Sequence, residues 1–369
     1  MKKKVCLFFD RSYIDAHYCF REMANQFLEN GWAVDLYMSF GVSHGVPYFD
    51  SGKIHIFFID HSRWELLKLF TKIIREKYGV IVATPQWALY WAVRSSFFSR
   101  TPVVCLSDEV YTWDPKTWSA AQKKISTPLK WKKREAWAHR RCLLTVALGE
   151  KRFELVQKEN RLPKDHPYVI VPNAPAGRGQ KLLSAYYRET LSIPASSPIL
   201  LHSGGMEWSF IPPLMQTARQ WGEEFSIVIQ TRIKAGADSF AAAPNVKFSQ
   251  ALLPADLMRY ATSSADIGLM LYDRDYPAEA RNGNTAGKLG LYLSCGLPVI
   301  CCNLADLRWV EAETCGVWVP RVEDIPGAAR KIMANYGNYS RNALRVFEEK
   351  FEYSKHFKVF FEKLNELVP

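Results

Sequence analysis

The stretch from Asn282 to Ile300, NGNTAGKLGLYLSCGLPVI, constrains this chain more than any other. Asn284 and Thr285 are residue types that cap helix N-termini, Leu289 to Leu293 is an apolar run suited to a buried helix, and Gly296 sits where a left-handed stop belongs. Leu297-Pro-Val-Ile-Cys-Cys302 then reads as a buried strand, because β-branched residues follow directly on a Gly and Pro stop. A short helix feeding straight into a buried strand follows the logic of a β-α-β crossover.

Ahead of that helix, Gly and Asn residues let the backbone approach a ligand closely, and the first-turn amides have no acceptor within the helix. Those amides at Asn284, Thr285, Ala286 and Gly287, the positive end of the helix dipole, and Lys288 together suit a diphosphate. The same residues also describe a capped core helix with a solvated Lys288, and spacing alone leaves both readings open.

The pattern N-x-x-x-K-L-x-x-Y-L-x-C-G-L-P-V-I, after a strand ending Asp-Ile-Gly-Leu-Met-Leu-Tyr272, resembles the C-terminal donor-binding motif of GT-B glycosyltransferases. Within that fold it is most similar to glycosyltransferase family four. The resemblance implies an α/β protein with two Rossmann-like doubly wound domains facing a cleft, and a last helix that crosses back to the N-terminal domain. It also implies that the loop and helix N-terminus hold the diphosphate of a nucleotide-sugar. One departure bears on mechanism. Retaining members of the family carry two glutamates eight positions apart, and the matching positions here are Gly283 and Leu291.

Composition sets outer limits. A chain of 369 residues with 48% hydrophobic content can form two domains with proper cores. The net charge of +11 favours an anionic partner: nucleic acid, a phospholipid surface or a nucleotide-linked substrate. The eight cysteines include no Cys-x-x-Cys pair and several lie in apolar strand-like runs, which suits reduced buried thiols and neither a disulfide framework nor a structural metal site. Met1-Lys-Lys-Lys begins like a signal peptide, but Asp10 and Arg11 cut the apolar run short, so the first strand is the expectation there. No stretch offers the roughly 18 uninterrupted apolar residues of a membrane-spanning helix. A soluble or peripheral protein is therefore expected, in the cytoplasm either free or at the inner membrane face.

From the start of the chain, Val5–Phe9, a helix over 13–29 and Trp32–Tyr37 form a β-loop-α-β opening. The right-handed crossover of such a unit places the loop after the first strand at the ligand end of the sheet. That loop has no G-x-G-x-x-G, which argues against a dinucleotide site. By the resemblance it faces the acceptor, making Asp10, Arg11 and His17 acceptor-side candidates. Strands over 54–59, 79–83 and 102–106 alternate with helices over 63–77 and 86–98. At the end of the last strand, Asp108 and Glu109 are either a pair whose crowding suits proton acceptance or an ordinary capped turn.

Residues 130–141, KWKKREAWAHRR, interleave tryptophan with basic residues. This suits an anionic membrane surface, or nucleic acid, or merely a solvated basic face. The segment Ile170-Val-Pro-Asn-Ala-Pro175 also resembles family-four enzymes, in which it ends the N-terminal domain. The expected division is an acceptor-side domain over 1–185, a nucleotide-sugar domain over 186–345 and a returning helix over 346–369.

In the second domain, Pro198–His202 is the first strand and Gly204 and Gly205 permit close backbone approach; by the resemblance, this loop lies beside the donor phosphate. Arg232, with Lys234 behind it, emerges at a strand end where a guanidinium can pair with phosphate oxygens. The backbone at Gln250, Ala251 and Leu252 resembles the segment that grips the nucleotide base. Phenylalanines 347, 351, 357, 360 and 361 form a core stripe in a helical C-terminus.

The expected activity is transfer of a sugar from a nucleoside-diphosphate donor to a hydroxyl of a glycan or lipid-linked acceptor, with no cofactor and no metal. Lys288 and Arg232 would stabilise the leaving diphosphate. Retention is the first expectation. The alternatives are inversion with Asp108 or Glu109 as base, and a non-catalytic GT-B adaptor. A nucleic-acid-binding protein fits the charge but lacks a recognised reading module, so no nucleic acid is expected as a partner.

Overall fold

A computed structural model describes residues 3–10, 17–39, 53–59, 62–114, 127–205, 211–231, 243–251, 253–272 and 283–368. The chain divides into two compact units, Met1–Asn173 with Tyr353–Pro369, and Ala174–Glu352.

The first unit alternates strands and helices: β1 (Lys4–Phe9), α1 (Tyr18–Glu29), β2 (Ala33–Ser39), β3 (Ile54–Ile59), α2 (Arg63–Glu76), β4 (Val80–Ala83), α3 (Trp87–Ser99), β5 (Val103–Ser107), α4 (Pro128–His139), β6 (Leu144–Ala147), α5 (Glu150–Asn160) and β7 (Tyr168–Ile170). All seven strands are parallel in the order β3-β2-β1-β4-β5-β6-β7. Central strands such as Val80-Ile-Val-Ala83 are buried on both faces, as a parallel sheet covered by helices requires. The order reverses between β1 and β4, which is where ligands bind in open α/β sheets.

The second unit runs α6 (Tyr186–Leu191), β8 (Ile199–Ser203), α7 (Ile211–Ala218), β9 (Ser226–Gln230), β10 (Val246–Ser249), α8 (Ala255–Ser263), β11 (Ile267–Leu271), a 3-10 turn (Gly283–Thr285), α9 (Gly287–Ser294), β12 (Val299–Cys302), α10 (Trp309–Ala312), β13 (Gly316–Val319), α11 (Ile325–Ala334) and α12 (Tyr336–Lys350). Its six strands are ordered β10-β9-β8-β11-β12-β13, with the reversal between β8 and β11. The last helix, α13 (Tyr353–Leu367), is part of the first unit. There the Tyr353 hydroxyl donates to the Cys19 carbonyl at 3.2 Å, and Phe357 and Phe360 pack edge-on against Phe27. Phe347 is buried in the second unit, so the expected phenylalanine stripe serves two cores.

Two sequence expectations change. Asn284 and Thr285 do not cap α9: they lie in the 3-10 turn, and the extended Ala286 precedes the helix without a side-chain cap. The basic stretch after residue 130 does not lie wholly on the surface. Lys132 is fully buried, donating to Glu135 Oε1 at 3.2 Å and Asn160 Oδ1 at 2.5 Å. All eight cysteines are buried and unbridged. Among the described residues no helix is long and apolar enough to cross a membrane, and no group of three or more His, Cys, Asp or Glu could hold a metal ion.

The network around Lys132 fixes two imidazoles. Asn160 Nδ2 donates to His139 Nδ1 at 2.8 Å, so His139 Nε2–H donates to Thr145 Oγ1 at 2.8 Å and the hydroxyl passes its own proton to His166 Nε2 at 2.8 Å. This chain closes only with both rings neutral. Burial holds His139 well below the ordinary histidine value of 6.5, with His166 and Lys132 adding to the effect, and burial lowers His166 against a small opposing pull from Asp165. The unfolded state binds protons near that ordinary value while the folded state does not. Stability is therefore full above it and declines as pH falls below it. The thermal midpoint is expected to drop steadily from about pH 7.5 to about pH 5.5. A midpoint that stays level over that range would contradict the neutral network.

Candidate functional site

The second unit gathers its candidate residues at the β8/β11 reversal. β8 ends at His202 and Ser203, and the chain turns at Gly204 with φ +126°, a conformation that favours glycine. The Gly204 amide donates to the Gln230 carbonyl at 3.0 Å, and the Ser203 amide donates to the Tyr292 hydroxyl at 2.7 Å. These two amides are engaged within the fold. What the loop provides is space: a Cβ at Gly204 would stand 4.0 Å from Lys288 Nζ.

Lys288 lies in the first turn of α9, where no acidic residue stands, and its ammonium sits 4.4 Å from the centre of the Tyr272 ring. The ammonium and the positive end of the helix dipole both favour an anion placed beside them. His202, fully buried beneath the loop, is held well below its ordinary range by burial and then by the Lys288 charge. Among the described residues of the site, Lys288 is a half-buried cation beside the space at Gly204.

Tyr292 ties the parts together. It is fully buried on α9, its ring packs over Gly268 of β11, and its hydroxyl holds the end of β8. Gln230 does similar work on the other side: its Nε2 donates to the Ala251 carbonyl at 2.8 Å, and its Oε1 accepts from the Tyr187 hydroxyl at 3.2 Å. Gln250 and Ala251 therefore lie beside β9, with one Ala251 carbonyl lone pair already used. Asn284 braces the 3-10 turn. Its Nδ2 donates to the Asp306 carbonyl at 3.1 Å, and its Oδ1 accepts from Trp309 Nε1 at 2.7 Å. Thr285 is buried, and Ala286 and Gly287 lead into α9 beside Lys288.

The two positions that lack a glutamate are packed against neighbours. A Cβ at Gly283 would meet Leu307 at 2.8 Å, and Leu291 is buried inside the domain core. A side chain at Gly283 would have to displace Leu307, and at position 291 an apolar leucine fills the buried space.

In the first unit, the acceptor-side candidates sit at the β1/β4 reversal. The Asp10 amide donates to Thr84 Oγ1 at 3.1 Å and its carboxylate accepts from Ser39 Oγ, joining the ends of β1, β2 and β4. His17 precedes α1 and is exposed, its ring 5.5 Å from Phe20. Asp108 and Glu109 are half-buried after β5, where Arg152 donates to the Asp108 carbonyl at 2.5 Å. Arg11, Arg232, Lys234 and Leu252 lie outside the described residues. The sequence reading did not single out Tyr292, His202, Tyr272 or Gln230. Tyr292 was visible inside the motif, but nothing in spacing shows that its hydroxyl reaches another strand.

Residues 215–362 match the family described as glucosyltransferase 3-like, C-terminal domain. No curated protein sequence matches the chain. Among solved structures, sucrose-phosphate synthase from Thermosynechococcus elongatus is similar at TM-score 0.71 and 14% identity, covering 99% of this chain and 100% of that one. Anabaena HepE in complex with UDP-glucose is similar at TM-score 0.70 and 13% identity, covering 98% and 99%. The E. coli trehalose-6-phosphate protein bound with UDP-2-fluoro glucose is similar at TM-score 0.67 and 9% identity, covering 99% and 100%. At such identities the likeness is one of fold. The chain thus has the GT-B fold over nearly its whole length, and residues 215–362 match the glucosyltransferase 3-like C-terminal domain.

Proposed function

We propose that this chain is a glycosyltransferase that moves a hexosyl group from a nucleoside-diphosphate-sugar, with UDP-glucose the first candidate, to a hydroxyl of a glycan or lipid-linked acceptor. The setting would be cell-surface polysaccharide or glycoconjugate synthesis on the cytoplasmic side of a membrane. The observation that carries the donor reading is the convergence of Gly204 and Lys288 at the β8/β11 reversal, free space beside an ammonium at a helix N-terminus. UDP-glucose in HepE and UDP-2-fluoro glucose in the E. coli protein support the choice of base and sugar.

In the reaction the bond from the sugar C1 to the β-phosphate oxygen breaks, the acceptor oxygen bonds to C1, and the acceptor proton leaves. Lys288 and the amides opening α9 would stabilise the charge growing on the departing diphosphate, with no resident cofactor taking part. We read the transfer as retaining. Inversion is the second reading, favoured by the absence of an acid at Gly283 and Leu291; it would use Asp108 or Glu109 as base.

The test is a thermal-shift panel of nucleotides and nucleotide-sugars, followed by stereochemical assignment of any product by NMR. UDP-glucose at about 100 times its Kd should stabilise the protein by about 2.7 kcal/mol. An α-linked product would mean retention and a β-linked product inversion. If no nucleotide shifts the midpoint, the donor site fails and a non-catalytic adaptor takes its place.

A further inference from the structure

One surface of the first unit is used by none of this chemistry. Helices α3 and α4 pack side by side, with Leu89, Ala92, Val93 and Ala138 turned into the core. Their outer surface carries Phe97 and Phe98, 61% and 69% exposed, and Leu129 at 44%. Between them runs a ladder of rings and guanidiniums. Arg134 lies 4.5 Å over Trp131 and 5.1 Å over Tyr90, Tyr90 stands 5.7 Å from Trp137, and Arg141 lies 4.4 Å over Trp137, which in turn is 6.1 Å from Phe97.

The charge on this face is of one sign. Arg94, Lys130, Lys133 and Arg140 are exposed, and among the described residues none of them has an acidic partner. The acid of α4, Glu135, is buried and spent on Lys132. Exposed phenylalanines on a soluble surface call for a cover, and an unpaired basic surround says that the cover is anionic. Amphipathic rings flanked by Arg and Lys are the composition of protein surfaces that lie in a lipid headgroup layer.

We propose that the α3/α4 face docks on an anionic lipid bilayer, with Phe97, Phe98 and Leu129 entering the headgroup region and Lys130, Lys133 and Arg140 meeting lipid phosphates. A single-stranded nucleic acid fits less well. It would need open stacking faces, and Trp131 and Trp137 have guanidiniums on theirs. The inference deepens the lipid-linked acceptor of the proposed function, because docking brings the enzyme to the layer that holds such an acceptor. It does not depend on donor chemistry.

Co-sedimentation of the full chain with vesicles tests it, using phosphatidylcholine alone and phosphatidylcholine with phosphatidylglycerol, and no nucleotide. Binding is expected only to the anionic vesicles, and should weaken as salt rises. Lys130→Glu with Lys133→Glu should lower the partition coefficient more than about tenfold, and Phe98→Ser should lower it severalfold. Both variants should keep the native thermal midpoint and, where the donor reading holds, the native nucleotide shift, so loss of docking is read separately from loss of the donor site. Absence of binding to anionic vesicles at low salt, or binding unchanged in both variants, would overturn the proposal. So would tight oligonucleotide binding by a protein that ignores both vesicles.

Discussion

Lys288→Ala is expected to lower kcat/KM for the nucleotide-sugar by about 10²–10³-fold, with little change in thermal midpoint. The ammonium is half-buried, so a phosphate oxygen paired with it would be weakly screened, and a charge-assisted hydrogen bond there would be about twice as strong as a neutral one. It should also strengthen as the leaving diphosphate gains charge, which places the loss in kcat as well as in binding. Lys288→Arg should rescue poorly. The flat guanidinium spreads its charge over a fork and cannot reproduce the compact ammonium's geometry at the phosphate. A second readout is independent of activity. The Lys288 charge helps to hold His202 neutral, so its removal should raise the His202 titration midpoint by NMR. Turnover within about twofold of native would sink the assignment of Lys288 to the donor site.

The largest effect on stability is expected at Gly268. A methyl group there would lie 2.3, 2.6 and 2.9 Å from three carbons of the Tyr292 ring, distances that no relaxed structure tolerates. Tyr292 is fully buried and cannot swing into solvent. Gly268→Ala must therefore push the ring aside, adding overpacking strain and stripping the Ser203 amide of its acceptor. Together these should destabilise the second unit by roughly 3–5 kcal/mol. A drop in its melting temperature on the order of 10 °C follows. Because the displaced hydroxyl holds the end of β8, nucleotide affinity should fall with stability. Gly327→Ala is the control: it lies in α11 with nothing within 4 Å of a new Cβ, and alanine suits a helix better. Denaturant unfolding decides the matter, and a Gly268→Ala protein within about 1 kcal/mol of native would show that Tyr292 is not the clamp described.

Much of the fold was legible before any coordinates. The alternation of apolar strand runs with helical spacing located most elements, because burial on both faces leaves unbroken apolar runs in a parallel strand such as Val80–Ala83. The left-handed stop at Gly296 was legible too, and it stands at φ +67°. The start of α9 was misread because Asn and Thr cap a helix only when their side chains reach its amides. Here Asn284 is drawn instead to Asp306 and Trp309, partners more than 20 residues away. Lys132 was read as a surface charge for a related reason. Its partner Asn160 lies on α5, and local spacing carries no trace of it.

By itself the sequence determined the two doubly wound sheets, the position of the strand-turn-helix unit around Lys288, and the basic, aromatic character of α4. These are local properties, set by periodicity, by glycine and proline, and by charge along the chain. Only the tertiary structure decided that Gly204 and Lys288, 84 residues apart, come together, that Tyr292 binds the end of β8, and that Leu307 packs against Gly283. These depend on which strands become neighbours where the sheet order reverses, and that is settled by burying both sheet faces at once.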